Sequence, residues 1–428
     1  MFEVVLKIMA AGDISWVMTA TALVMLMTPA LGFFYAGLVR RKNLVSTLIQ
    51  CIVIFAVVSI VWALLGYSLV FGPSVGGLIG NFSLVGLNGI SIHSVYAVAP
   101  NVPELLYFAF QLKFAAITPA LIIGACAERI RFRSLLIFIV LWSTLIYAPI
   151  AHWVWNPSGW LYSLGAIDFA GGIVVHISAG LSALAAALVM GKRRGCVFWK
   201  DQLSSLDKAS SASESKPSNI PYVILGAGLL WFGWFGFNGG SALAANDLAV
   251  SAIVTTNLAA AAAAVSWMVL DWVRKGKPSA VGISVGAVVG LVAITPAAGY
   301  VTVTAALIIG LLGGVISNLV SSWRLARTRI DDTLDVFACH GVGGIWGSIA
   351  TGLFAFSAVN GVNGLFYGNP GQLVNQLLAV GVVAPFAFFG SYALLKLINV
   401  FSPLRVSPEE EDAGLDLSQH GEDAYNLE

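Results

Sequence analysis

Apolar residues fill this chain in long runs, most of them broken only by short polar or basic stretches. At 1.5 Å per helical residue, about 20 such residues cross a bilayer core of about 30 Å. Reading the runs between Gly, Pro and charged punctuation gives eleven spans, at residues 13–38, 44–71, 103–127, 131–152, 168–191, 219–241, 246–272, 279–296, 299–322, 335–356 and 372–400. Only helices and closed barrels satisfy their backbone inside lipid, and runs of this length call for helices. The predicted fold is an all-α polytopic membrane protein.

Basic residues set the expected orientation. Arg40, Arg41 and Lys42 follow the first span, Arg129, Arg131 and Arg133 the third, and Lys192, Arg193 and Arg194 the fifth. Arg274, Lys275 and Lys277 follow the seventh, and Arg324, Arg327 and Arg329 the ninth. The alternate connections (72–102, 153–167, 242–245, 297–298, 357–371) contain no Lys or Arg. An excess of Lys and Arg marks the cytoplasmic side, so the N-terminus is expected outside and the C-terminus inside.

Residues 195–218, rich in Ser and Lys and without hydrophobic period, read as a cytoplasmic linker between two halves, about 13–191 and 219–356. Five spans per half is odd, so the second half enters from the opposite side. An inverted 5+5 repeat of this kind places a site near the midplane, where the halves meet. The eleventh helix completes a transmembrane domain of residues 1–402, and the acidic segment 403–428, lacking an apolar period, reads as a cytoplasmic tail.

Composition narrows the class further. The chain of 428 residues is 58% hydrophobic and only 10% charged, against about 25% charged for soluble domains. A net charge of +1, with no basic run carrying interleaved aromatics, argues against a nucleic-acid partner. Cys51, Cys126, Cys196 and Cys339 have neither metal-ligand spacing nor the context of a disulfide framework, and no cofactor is expected. The start, MFEVVLKIMAAGD, is a poor signal peptide and reads as an uncleaved N-terminus.

Two histidines stand out against this apolar background. His176, in DFAGGIVVHISAG, lies eight residues after Asp168, and His340, in DVFACHGVGG, lies five after Asp335. An ionisable side chain inside a membrane is costly and faces a partner, a cavity or a pathway. Two in corresponding spans read as a functional pair able to share or pass a proton. Asp168 is expected to cap a helix start or hold it by hydrogen bonds. Aromatics crowd where spans meet the outside: Phe110, Phe114, Trp153, Trp155, Trp231, Trp234 and Phe237. Interfacial belts account for many membrane tryptophans, and an aromatic face also attracts a desolvated cation.

The stretches GFFYAGLVRRKN, AERIRF, DFAGGIVVHISAG, WFGWFGFNGGSALAAN, AITPAAGY, HGVGGIWGS and GLDLSQHGEDAY together resemble the ammonium transporter family (Amt/Mep/Rh), in its microbial Amt branch, from about Trp16 to Tyr425. The resemblance implies an outer ammonium site made by Phe110, Trp155 and Ser241, shaped by Asp168. It implies a gate of Phe114 and Phe237, and an apolar pore with His176, His340 and Trp234. It further implies passage as ammonia after loss of a proton, a homotrimer with one pore per subunit, and a tail that meets a PII signalling protein. Two outcomes stay open for the proton: separate transfer through the histidine pair, which makes transport electrogenic, or net passage of ammonia alone. Lys113 departs from the pattern, because family members carry a small, hydroxyl or apolar residue before the gate phenylalanine. A cation beside a cation pathway slows flux if it faces the lumen. That keeps a second function in view, an ammonium receptor that binds but conducts little.

Overall fold

The computed structural model describes residues 2–195 and 216–425, with the side chains of residues 2–10 left out. The Ser-rich linker and Cys196 lie outside the described residues. Helices dominate. Among the described residues nine are long and apolar enough to cross a membrane, Ala11–Leu38, Glu104–Cys126, Asp247–Lys275 and Pro370–Phe401 among them.

The count of single full-length helices therefore falls short of eleven, for local reasons. The eighth expected span is the shorter apolar helix Ala280–Ile294, which ends at a turn where Pro296 withdraws a backbone donor. The tenth is built in two pieces, a π-helical turn Phe337–Val342 running into the Gly-rich helix Gly343–Phe354. The connection after the second span forms two short antiparallel strand pairs, Ser74–Val75 with Ile79–Gly80 and Val95–Tyr96 with Ala99–Pro103. His152 pins this region, its Nδ1 2.7 Å from the Val70 carbonyl and its Nε2 2.8 Å from Ser74 Oγ.

Small residues fix the packing. The helix Phe2–Leu38 packs along Ile220–Gly239, so the first helix of one half meets the first of the other. A Cβ on Gly226 would collide with the backbone at Phe34 and Ala30; only glycine allows this approach. Gly180 serves the second crossing. A Cβ there would strike the backbone of Gly341, next to His340, so glycine lets the segment carrying His176 touch the one carrying His340.

The tail folds back on its own chain. A Ser407–Glu410 capping box starts the helix Pro408–Ala413. Asp416 then accepts hydrogen bonds from the backbone N–H groups of Val45 (3.0 Å) and Ser46 (2.7 Å), orphan donors at the start of Leu44–Val61. Buried Glu411 accepts from Arg405 Nη2 (2.7 Å) and from the Arg194 backbone (2.7 Å). Nearby, Glu128 sits at φ +70° and pairs with Arg40 (2.6 Å) and Arg193 (3.3 Å). Burial pushes the Asp331 carboxyl up, but Arg193 and Arg129 outweigh it and hold it below the usual range.

Candidate functional site

On the face opposite the tail, a cavity of about 260 Å³ opens into the protein. Phe110, Phe114, Trp155, Asp168 and Ser241 all line it, so five residues drawn from four separate stretches meet in one place. Phe110 and Phe114 lie one turn apart on Glu104–Cys126 and contact edge to face, with centroids 5.0 Å apart. Trp155 closes the other side, 5.8 Å from Phe114, and its Nε1 donates to the Asp168 carbonyl at 3.0 Å. Ser241 donates its hydroxyl to the Phe237 carbonyl (2.8 Å), which leaves the oxygen lone pairs free to accept.

The Asp168 carboxylate does not serve as an open ligand. It accepts four backbone N–H groups: Gly171 (2.9 Å) and Gly172 (2.7 Å) on one oxygen, Ile173 (2.8 Å) and Val174 (3.0 Å) on the other. These belong to the start of a π-helical turn, Gly172–Ile177, that carries His176. One carboxylate thus satisfies the orphan donors of a buried helix end.

Beneath the cavity the rings of Phe114 and Phe237 lie against each other, with centroids 4.2 Å apart and planes inclined by 33°. Below them lies a narrow chamber bounded by Leu31, Val175, Leu230, Trp234, His176 and His340, among other apolar side chains. His176 and His340 face each other with Nδ1 atoms 3.3 Å apart. Trp234 stacks on His176 at 5.4 Å and donates its Nε1 to Thr295 Oγ1 (2.9 Å). The Nε2 of His176 is buried and has no hydrogen-bond partner among the described residues.

Two neutral imidazoles sharing one Nδ1–H···Nδ1 bond have opposite, linked tautomers, whichever ring donates. The donor keeps a bare Nε2, and the acceptor carries its proton on Nε2. The pair therefore offers a polar solute one acceptor and one donor in an otherwise apolar passage.

The second half repeats this construction with a different aspartate from the one expected. Asp335 adopts φ +56° and forms an ion pair with Arg324 (2.7 Å). The counterpart of Asp168 is Asp332, whose carboxylate accepts from Val336 (3.1 Å) and Phe337 (2.8 Å) at the start of the turn carrying His340. Asp332 precedes His340 by eight residues, the spacing of Asp168 and His176. That equality was available in the sequence as the signal for it.

Sequence reasoning also passed over Tyr107, Gln111 and Tyr300, which line the upper cavity. They sit among apolar neighbours with no spacing to mark them. Lys113 points away from these groups, with its Nζ 5.0 Å from the centroid of the Phe55 ring on the neighbouring helix. Of the other aromatics, neither Trp153 nor Trp231 lines the cavity or the chamber. Cys51, Cys126 and Cys339 are free and buried.

An aromatic-lined cavity, a contacting pair of phenylalanine rings and an apolar chamber with two facing histidines thus lie one below another within a single polytopic membrane chain. Residues 15–425 match the Ammonium Transporter Family. The chain is 46% identical to the ammonium transporter Amt1 of Archaeoglobus fulgidus over 417 residues, covering 97% of this chain and 100% of that protein. Among solved structures it is similar to Saccharomyces cerevisiae Mep2, with a TM-score of 0.86 at 36% identity, covering 97% of this chain and 92% of that one. A structure described as a sensor Amt protein is similar too, with a TM-score of 0.86 at 32% identity, covering 97% and 99%. This chain belongs to the ammonium transporter family. It is an ammonium transporter of the cell membrane, a multi-pass protein and not an enzyme.

Proposed function

We propose that ammonium is recruited at the upper cavity, gives up a proton, and crosses the chamber as ammonia. Phe110 and Trp155 offer π faces, each worth about 2 kcal/mol to a desolvated cation, and Ser241 offers a hydroxyl acceptor. Asp168 acts by holding the turn and by its nearby charge. Phe114 and Phe237 form the gate, and Trp234 orients His176. An intact ion pays a large desolvation cost in such a lumen, tens of kcal/mol by idealised solvation estimates. Ammonium escapes that cost by deprotonation and potassium cannot, so selectivity lies in chemistry rather than size. The histidine pair accepts and relays the released proton, separating charge from ammonia and making transport electrogenic.

The observation that carries this reading is the 3.3 Å His176–His340 contact directly beneath the contacting rings of Phe114 and Phe237. Proteoliposomes responding to ammonium, weakly to methylammonium and not to potassium would support it, and equal ammonium and potassium responses would refute it.

Around this core we propose eleven crossings, ten of them in two inverted halves, with the N-terminus outside and residues 403–428 in the cytoplasm. The matched Asp–His spacing and the pairing of Phe2–Leu38 with Ile220–Gly239 support the repeat. The chain is proposed to work as a homotrimer whose tail meets a PII protein. The ammonium-receptor reading draws support from the likeness to the sensor Amt structure. Binding and flux measured on one preparation separate the two: a receptor binds ammonium while flux stays at background.

A further inference from the structure

The tail-side face holds a second cavity, of about 560 Å³, unconnected with the ammonium pathway. Three distant stretches wall it: Arg40, Arg41 and Lys42 after the first helix, Lys216 before the helix Ile220–Gly239, and Asp423 and Tyr425 at the end of the tail. Asp416 completes the carboxylates, and four cations therefore face two anions.

The charges are also unequally engaged. Asp416 is taken up by the N–H groups of Val45 and Ser46. Arg40 is already engaged, with Nε on Glu128 (2.6 Å) and Nη1 on the Arg194 carbonyl (3.3 Å). Lys42 donates to the Asp412 carbonyl. Arg41 lies over the Tyr425 ring, 5.8 Å from its centroid, with no carboxylate partner among the described residues, and the same holds for Lys216. The result is a cavity in which Arg41, Lys42 and Lys216 outnumber the carboxylates of Asp416 and Asp423, with a flat aromatic ring in its wall.

We propose that this cavity binds a phosphate-bearing anion. Guanidinium forks match phosphate oxygens in pairs, and lysines add point charges. The volume lies in the range of small-molecule sites, about 300–1,000 Å³. It exceeds what a bare phosphate fills, so the ligand carries an organic portion beside Tyr425. Both a soluble phosphorylated metabolite and the headgroup of an anionic phospholipid have this chemistry. Either one bridges the basic walls to the tail's end, which is otherwise held by Asn219 Nδ2 donating to Tyr425 Oη at 2.9 Å. The bound anion thereby fastens the tail to the transporter.

The test uses the full chain in nanodiscs. One arm titrates inorganic phosphate and ATP calorimetrically into protein in phosphatidylcholine. The other measures retention of phosphatidylglycerol by native mass spectrometry. The double variant Arg41→Ala/Lys216→Ala runs beside the wild type in both, with its melting temperature as the check on folding. Saturable binding in one arm, weakened at least about tenfold in a normally melting variant, supports the site and names its source. Binding in neither arm overturns the proposal, as does equal binding by wild type and variant. Should the double variant fail to fold, Arg41→Gln and Lys216→Gln singly replace it, judged by the same outcomes. None of these results bears on ammonium transport, so the two readings fail separately.

Discussion

His176 and His340 come from opposite halves of the chain and meet Nδ1 to Nδ1 at 3.3 Å. Neither ring can change its proton without changing the other's role. The two act as one unit, and residues that act as a unit lose function non-additively. His176→Ala and His340→Ala should each cut ammonium-driven charge movement by roughly tenfold or more, and the double variant by only about twofold beyond either. Multiplying losses in solid-supported membrane recordings would point to two independent roles.

Asp168 answers four backbone donors at once. Truncation leaves them buried and unsatisfied, at about 1–3 kcal/mol for each such group. Asp168→Ala should therefore lower the melting temperature of purified protein markedly and abolish transport, while Asp168→Asn, which keeps an acceptor, melts between the two. A melting temperature unchanged in Asp168→Ala would show that the carboxylate is not structural.

Asp332 lies outside the membrane spans, and burial pushes its carboxyl up to about 6, with Arg324 opposing the rise. An unfolded aspartate titrates near 3.9. The folded chain thus holds this proton more tightly, and the stability it contributes below pH 4 is lost as pH climbs through 6. Melting of the wild type should fall more between pH 5 and 7 than that of Asp332→Asn. Parallel curves would contradict this.

Lys113 stands over Phe55 rather than in the pathway. Such a contact is worth about 0.5–1 kcal/mol when partly exposed. Lys113→Thr should leave ammonium current within about twofold of wild type at a similarly small stability cost. A several-fold rise in current would mean that the lysine restrains conduction, and would favour the receptor reading.

The tail is stitched to the rest of the chain through Asp416 at Val45 and Ser46 and through Glu411 at Arg405 and Arg194. Truncation after Ser402 removes all of these while sparing the spans. The trimer should survive, with reduced transport and reduced PII binding in a pull-down. Unchanged PII affinity would remove the tail from the docking surface.

Much of this was legible in residue patterns because lipid imposes length and apolarity on each crossing. His176 and His340 stand out as ionisable groups in apolar spans, whereas Phe110, Trp155, Ser241, Phe114, Phe237 and Trp234 are marked only by the family resemblance; together with Asp168 these nine residues line the two cavities. What escaped depends on backbone detail. The π turns carrying His176 and His340 share the hydrophobic pattern of ordinary helix, so periodicity does not reveal them. Asp335 is three residues nearer to His340 than Asp332 is, yet it pairs with Arg324 while Asp332 holds the turn, a division of roles set by the local backbone that sequence proximity does not encode. The direction of Lys113 depends on a rotamer choice against Phe55, which no spacing encodes.

The central claim is that ammonium crosses only because it can leave its proton behind. The most direct measurement is current recording from purified protein in a supported bilayer after matched pulses of ammonium and potassium. The account predicts a saturable response to ammonium, a weaker one to methylammonium and none to potassium. A potassium response equal to that of ammonium would contradict it.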